Sequence, residues 1–102
     1  MTDKYILLDG NPIPCDSLMD WAQWFEKADR SIAKDKIGET RISTVFLGLD
    51  HSFGGGTPLL YESMIFGGPH DQDQRRYATR DEALAGHAEM VNMVKIAERE
   101  KP

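Results

Sequence analysis

The chain has 102 residues, with 12 Lys and Arg against 17 Asp and Glu and a formal net charge of -5. This length supports a single domain, residues 1–102, and the acidic balance argues against a binder of duplex nucleic acid, which needs a basic face. No apolar run approaches the roughly 20 residues of a membrane-spanning helix, and residues 1–5 do not open a secretory signal. Together with a single cysteine, Cys15, these features predict a cytoplasmic protein that does not enter membranes.

The N-terminal segment is predicted to form a small hairpin. Residues 5–8 are an apolar, β-prone run, and Asp9-Gly10 is a dipeptide typical of hairpin turns. Two prolines in residues 11–14 remove backbone donors, so the return strand is short and lies at a sheet edge.

A first amphipathic helix is predicted over residues 17–35. Asp16 or Ser17 is the expected N-cap, and Ser17 precedes Asp20 by three residues, a spacing similar to that of a capping box. Gly38 is the expected stop. Trp24 lies at the margin of the apolar stripe and becomes a partner-binding anchor if it is exposed. The stripe repeats at helical spacing: Leu18, Trp21, Ala22, Phe25, Ala28 and Ile32.

The two best strand candidates are residues 40–50 and 59–66, both rich in β-branched or aromatic side chains. Because a glycine loop joins them, the simplest arrangement is an antiparallel hairpin. Residues 74–78 would add a short edge strand.

Thr79 and Glu82 have the spacing of a capping box and predict a second helix over residues 80–99. The predicted order is β(β)αβββα, an α+β fold in which two helices pack on an antiparallel sheet of three to five strands. The apolar face of the second helix is either core or a homodimer surface. It comprises Met90, Val91, Met93, Val94 and Ile96.

The central block, residues 43–68, resembles a family of small phage and prophage proteins. The resemblance lies in the segments STVFLGLDH, FGGG and ESMIFGG, and extends to WAQWFE at residues 21–26 and RYAT at residues 76–79. It implies a protein of the host-cell cytoplasm. Small acidic phage proteins often act by binding and blocking host complexes, including defence systems. The first functional hypothesis is therefore a non-enzymatic, counter-defence binder of a host protein, with Trp24, Asp71 and Asp73 as candidate contacts.

The glycine loop suggests a second functional hypothesis, the binding of a small ligand. Gly54, Gly55 and Gly56 allow backbone amides to approach a ligand, and successive amides can form an anion nest. No P-loop or dinucleotide motif accompanies them, so a flexible hairpin tip is the competing interpretation. In the binding interpretation, residues 50–57 would hold a nucleotide or another anion, with an oligomer enlarging the site. The other candidate ligand-binding residues are Asp50, His51, Tyr61, Arg75 and Arg76.

Glu62 and His87 are the remaining candidates. If the strand face of Glu62 is buried, its carboxylate must be paired, hydrogen-bonded or raised in pKa, and a raised pKa would make it a general-acid candidate. In the favoured alternative, Glu62 lies at the sheet margin and pairs with Arg41, Arg75 or Arg76. His87 lies on the apolar stripe of the second helix, either as a satisfied core histidine or as an acid/base partner of Glu62. No spacing typical of a metal site, a nucleophile elbow or a cofactor motif is present, so an enzyme is the less favoured hypothesis.

Overall fold

A computed structural model describes residues 2–52 and 55–101 of the chain. Within them lie six strands and two helices, and the α+β class is confirmed. In chain order the elements are β1 (Tyr5–Leu8), β2 (Asn11–Pro14), α1 (Leu18–Lys27), β3 (Ser31–Ile37), β4 (Thr40–Phe46), β5 (Tyr61–Phe66), β6 (Gln74–Tyr77) and α2 (Arg80–Arg99).

The main sheet is antiparallel in the order β3-β4-β5-β6, and α2 packs across one of its faces. Ile42 pairs with Ile65 and Thr44 with Ser63, so the predicted central hairpin is confirmed. Because side chains alternate along a strand, every second residue of β4 and β5 turns inward. The inward set is fully buried and comprises Thr40, Ile42, Thr44, Phe46, Tyr61, Ser63 and Ile65.

The core has two parts beneath α2. One joins Ile42 and Ile65 to Met90 and Val94. The other is built from Phe46, Leu60, Tyr61 and Ala83, with Trp24 and Tyr5 packed against it. Most of the apolar face of α2 is therefore core rather than a dimer surface, and only its Ile96 is exposed.

The first helix is shorter than predicted. It ends at Lys27 instead of continuing to residue 35, and β3 follows it. Asp29 turns the chain by accepting a hydrogen bond of 3.0 Å from the amide of Ser31. Gly38, with φ +58°, forms the turn between β3 and β4 and is not the stop of a helix. Pairing with β4 thus outweighs the helical periodicity of this segment.

The opposite face of the sheet is only partly covered. Val45, Met64 and Phe66 lie there half-buried. The guanidinium of Arg41 lies 5.0 Å from the ring centroid of Phe66. This face is more basic than the chain as a whole, because Lys34, Lys36, Arg41 and Arg76 share it by register.

Candidate functional site

The N-terminal part of the chain is the most exposed apolar region of the structure. No residue from 2 to 39 is fully buried, and the first buried residue is Thr40. We call β1, β2 and α1, residues 5–27, the N-terminal arm. Four of the five exposed large hydrophobic side chains among the described residues lie in it, namely Leu8 (59% exposed), Ile13 (39%), Leu18 (60%) and Met19 (67%).

Gly48 attaches the arm to the main sheet. Its carbonyl oxygen accepts one hydrogen bond of 3.0 Å from Trp21 Nε1 and another of 2.9 Å from the amide of Tyr5. Gly48 has φ +77°, and a Cβ there would approach the Phe25 ring to 3.2 Å. The close approach of α1 therefore depends on glycine at this position.

Only one side of α1 is used in this attachment. Trp24 packs edge-on against Phe46, with ring centroids 5.8 Å apart, and Trp21 lies against Phe25 at 4.8 Å. Leu18 and Met19 project from the first turn into solvent. The helix therefore has apolar surface beyond what its own chain covers.

The shape of the molecule agrees with this description. Its radius of gyration is 15.2 Å, against about 13 Å for a compact domain of this length. Its accessible surface is 6587 Å², against about 5,800 Å² for a typical folded monomer of 11.5 kDa. The excess of roughly 800 Å² equals the area that one partner contributes to an interface of standard size.

The three residues predicted to contact a partner, Trp24, Asp71 and Asp73, differ in exposure and in their own contacts. Trp24 is half-buried, and its accessible side lines an open groove of about 470 Å³ along α1 with Asp20 and Lys27. Asp71 and Asp73 are exposed but engaged within the loop before β6. Asp71 accepts a hydrogen bond of 2.6 Å from the amide of Gly67, and Asp73 lies 3.3 Å from the ring of His70.

The Asp50 side chain is hydrogen-bonded to residues at both ends of the predicted ligand loop. One carboxylate oxygen accepts hydrogen bonds from the amides of Ser52 (2.8 Å) and Leu59 (3.0 Å), and the other accepts from the Ser52 hydroxyl (3.0 Å). Desolvation, the largest single influence, raises the pKa of Asp50, but these hydrogen bonds outweigh it and hold the pKa below its ordinary value. Asp50 is thus an anchor of the loop.

The other loop candidates include His51, which also helps to lower the pKa of Asp50. His51 is half-buried, and its amide donates to Leu59 over 3.1 Å. Gly55 and Gly56 are exposed with open space around them, and Gly54 lies outside the described residues.

The predicted anion-binding side chains are also separated. Arg75 and Arg76 point to opposite faces of the sheet, toward Glu89 (3.2 Å) and Glu62 (3.0 Å) respectively. Tyr61 is buried beneath α2, on the face opposite Arg76. Neighbouring strand residues alternate, so one loop cannot collect all three.

Glu62 pairs with an arginine, as the favoured alternative predicted, and the alternative pairing with His87 is wrong. Glu62 lies on the partly covered face and pairs with Arg76, whereas His87 belongs to α2, which packs on the other face. His87 Nε2 is 2.7 Å from an Asp35 carboxylate oxygen, and its Nδ1 is 2.7 Å from the Thr44 hydroxyl.

This carboxylate–imidazole–hydroxyl chain continues to Ser63 and has the order of groups found in serine hydrolases. Thr44 and Ser63, however, are completely enclosed, so neither hydroxyl can reach a substrate. This series of hydrogen bonds therefore links α2 to the sheet and satisfies the buried polar groups that take part in it.

Comparison with known proteins found no matching family model, no matching curated protein and no matching solved structure. The resemblance to phage proteins accordingly stays a prediction from the sequence. Within residues 2–52 and 55–101, no three His, Cys, Asp or Glu side chains group as a metal site. No helix there is long and apolar enough to cross a bilayer.

The sequence analysis did not identify the large apolar residues that the structure leaves exposed. Leu8 and Ile13 read as ordinary strand residues, and Leu18 as part of a core stripe. The available signal was the shortness of the hairpin, since a two-stranded sheet gives a neighbouring helix little to pack on.

Proposed function

We propose that the protein acts by binding another protein and that the N-terminal arm is the surface it uses. The observation that supports this most directly is the distribution of burial. Residues 2–39 contain no fully buried residue, yet Leu8, Leu18 and Met19 are large apolar side chains more than half exposed. Exposed apolar patches of this kind typically mark interaction sites.

The energetics of the arm favour a partner. A helix of ten residues such as α1 is marginal by itself in water, and a two-stranded sheet such as β1-β2 is equally weak. Burying apolar surface contributes about 25 cal/mol per Å², so covering Leu18 and Met19 would stabilise both the complex and the helix. Trp24, in the adjacent groove, supplies a side chain of the kind enriched at binding hot spots.

The resemblance to phage proteins extends the proposal to the kind of partner. It favours a host protein complex in the cytoplasm, with inhibition of a defence complex as the biological outcome. Inhibition by occupying a surface needs no catalytic group, which agrees with the enclosure of the His87 chain.

A capture experiment with matched variants tests the proposal. Tagged protein is incubated with host lysate, and the bound proteins are quantified by mass spectrometry. The variant Leu18→Ser/Met19→Ser should lose a specific partner at least tenfold, because buried apolar anchors contribute most of the binding energy. The control Ala85→Ser/Ala88→Ser changes exposed positions of α2 and should retain it.

Two results would overturn the proposal. One is equal capture of the same partner by both variants, with both shown to be folded by their thermal transitions. The other is light scattering that shows a dimer of the free protein, which the arm variant converts to a monomer. In that case the arm serves a second copy of the chain.

Small-anion binding is the second hypothesis, and among the described residues its candidate side chains Tyr61, Arg75 and Arg76 do not converge on the glycine loop. A different cleft has the chemistry for it.

A further inference from the structure

A cleft of about 360 Å³ lies where the turn of the β1–β2 hairpin faces the start of α2. One wall is formed by residues 10–12 and the other by residues 78–81, with Tyr61 at its base. This volume falls in the range of small-molecule sites.

Tyr61 lines this cleft and carries an unsatisfied polar group. The residue is 1% exposed, and its hydroxyl has no hydrogen-bond partner among the described residues. Buried hydroxyl groups are nearly always hydrogen-bonded, so such an exception needs an explanation. Burial raises the pKa of Tyr61, and the nearby Arg80 guanidinium opposes that rise without cancelling it. The phenol is therefore a protonated donor, with a cation on the same side.

The first turn of α2 adds further donors. The helix has 20 residues, and its N-cap Thr79 uses its side-chain oxygen to accept from the amide of Glu82 (3.1 Å). The amides of Arg80 and Asp81 belong to the first turn and have no intrahelical acceptor, because the residues four positions earlier lie outside the helix. Such a terminus carries a partial positive charge that favours anions.

We propose that this cleft binds a small anionic group, a carboxylate or a phosphate, held by the Tyr61 hydroxyl, the Arg80 guanidinium and the first amides of α2. One wall of the cleft, residues 10–12, belongs to the N-terminal arm, but none of the proposed donors does.

Asp81 determines which anions are accepted. It lines the cleft beside Arg80, so the two side chains oppose each other in charge. A singly charged group fits this balance better than a dianion. Removal of the Asp81 charge should therefore strengthen anion binding, a response that a purely structural role of these residues would not produce.

Tyr77 provides a matched control. Its hydroxyl is also buried without a partner among the described residues. It is pressed against Gly86 of α2, however, and Tyr77 is absent from the lining of the cleft. Tyr77→Phe and Tyr61→Phe delete the same atom, but only Tyr61 belongs to the lining of the cleft.

The test is an amide NMR titration with acetate and with inorganic phosphate, using chloride at equal ionic strength as the reference. The amides of residues 80 and 81 should shift in a saturable way with at least one of the two probes, and the responding probe identifies the group. Arg80→Gln should weaken binding about tenfold or more, since it removes a charged hydrogen bond. Tyr61→Phe should weaken binding severalfold, Asp81→Asn should tighten it, and Tyr77→Phe should leave it unchanged.

The proposal is overturned if both probes act like chloride. It is also overturned if Tyr61→Phe and Tyr77→Phe have equal affinities, or if Asp81→Asn does not bind more tightly. Thermal transitions of the unliganded variants verify folding, and Tyr61→Phe removes only an atom that makes no hydrogen bond to any residue the structure describes.

Discussion

Trp21 Nε1 donates a hydrogen bond of 3.0 Å to the carbonyl oxygen of Gly48, 27 residues further along the chain. This contact joins α1 to the segment that follows β4. The stability of the arm should therefore respond to changes at this junction.

Gly48→Ala should destabilise the protein by about 1–3 kcal/mol. The left-handed φ of +77° strains an alanine by about 1 kcal/mol, and its Cβ would press on the Phe25 ring at 3.2 Å. Gly55→Ala is the control. Its φ of +99° is also left-handed, but a Cβ there would have no described atom within 4 Å apart from those of its chain neighbours. Urea unfolding should show the larger loss for Gly48→Ala, and equal losses would mean that the contact with α1 contributes nothing.

Gly86→Ala should also destabilise the protein, against the usual trend. Alanine in a helix is favoured over glycine by about 1 kcal/mol. At Gly86, however, a Cβ would meet atoms of the Tyr77 side chain at far less than contact distance. Thermal unfolding should show a lower Tm, whereas a raised Tm would show that Tyr77 moves aside at little cost.

Thr44→Val tests the buried chain through His87. Valine has a similar shape but leaves His87 Nδ1 without its partner at 2.7 Å, so a loss of about 1–3 kcal/mol is expected. Ser43→Val, on the partly covered face of the same strand, should change stability little. Urea unfolding of both variants measures the difference, and a neutral Thr44→Val would show that the hydroxyl is dispensable.

Asp50 should give the protein a specific response to acid. Its pKa is lowered in the folded state, so its contribution is complete above the ordinary pKa, about 3.9, and is lost as pH falls through the lower folded value. Asp50→Asn should therefore be less stable than the parent at pH 7, with the gap narrowing below about pH 4. Urea unfolding across pH measures this gap, with the exposed Asp16→Asn as control. If the difference in stability between the parent and Asp50→Asn stayed constant across pH, the stabilising role of the Asp50 charge would be contradicted.

Much of the main sheet could be predicted from local patterns. The strand pair from Thr40 to Phe66 follows from β-branched runs flanking a glycine loop. The N-caps Ser17 and Thr79 are confirmed by their hydrogen bonds to Asp20 and Glu82. These features are local, so the sequence contains them directly.

The strand β3 could not be separated from the preceding helix in the same way. Ile32 continues the helical spacing of Phe25 and Ala28, and Lys34 and Lys36 resemble the basic end of a helix. Only pairing with β4, which is a tertiary contact, distinguishes the two.

The candidate site depended on contacts that a linear pattern does not show. The pairing of Glu62 with Arg76 follows from the register of β5 and β6, in which these residues are direct neighbours. Asp35 reaches His87 only because its segment is a strand rather than a helix. An amphipathic pattern in α1 shows that one face is apolar, but it does not show that Leu18 and Met19 are left exposed.

The most direct measurement is oxidative footprinting of Leu18 and Met19 in the free protein and in the captured complex. Both side chains are at least 60% exposed in the structure, and Ile96 on α2, at 48%, is the internal reference. If the arm is the binding surface, Leu18 and Met19 should become protected about tenfold while Ile96 reacts as before. Equal labelling of Leu18 and Met19 in both states would contradict it.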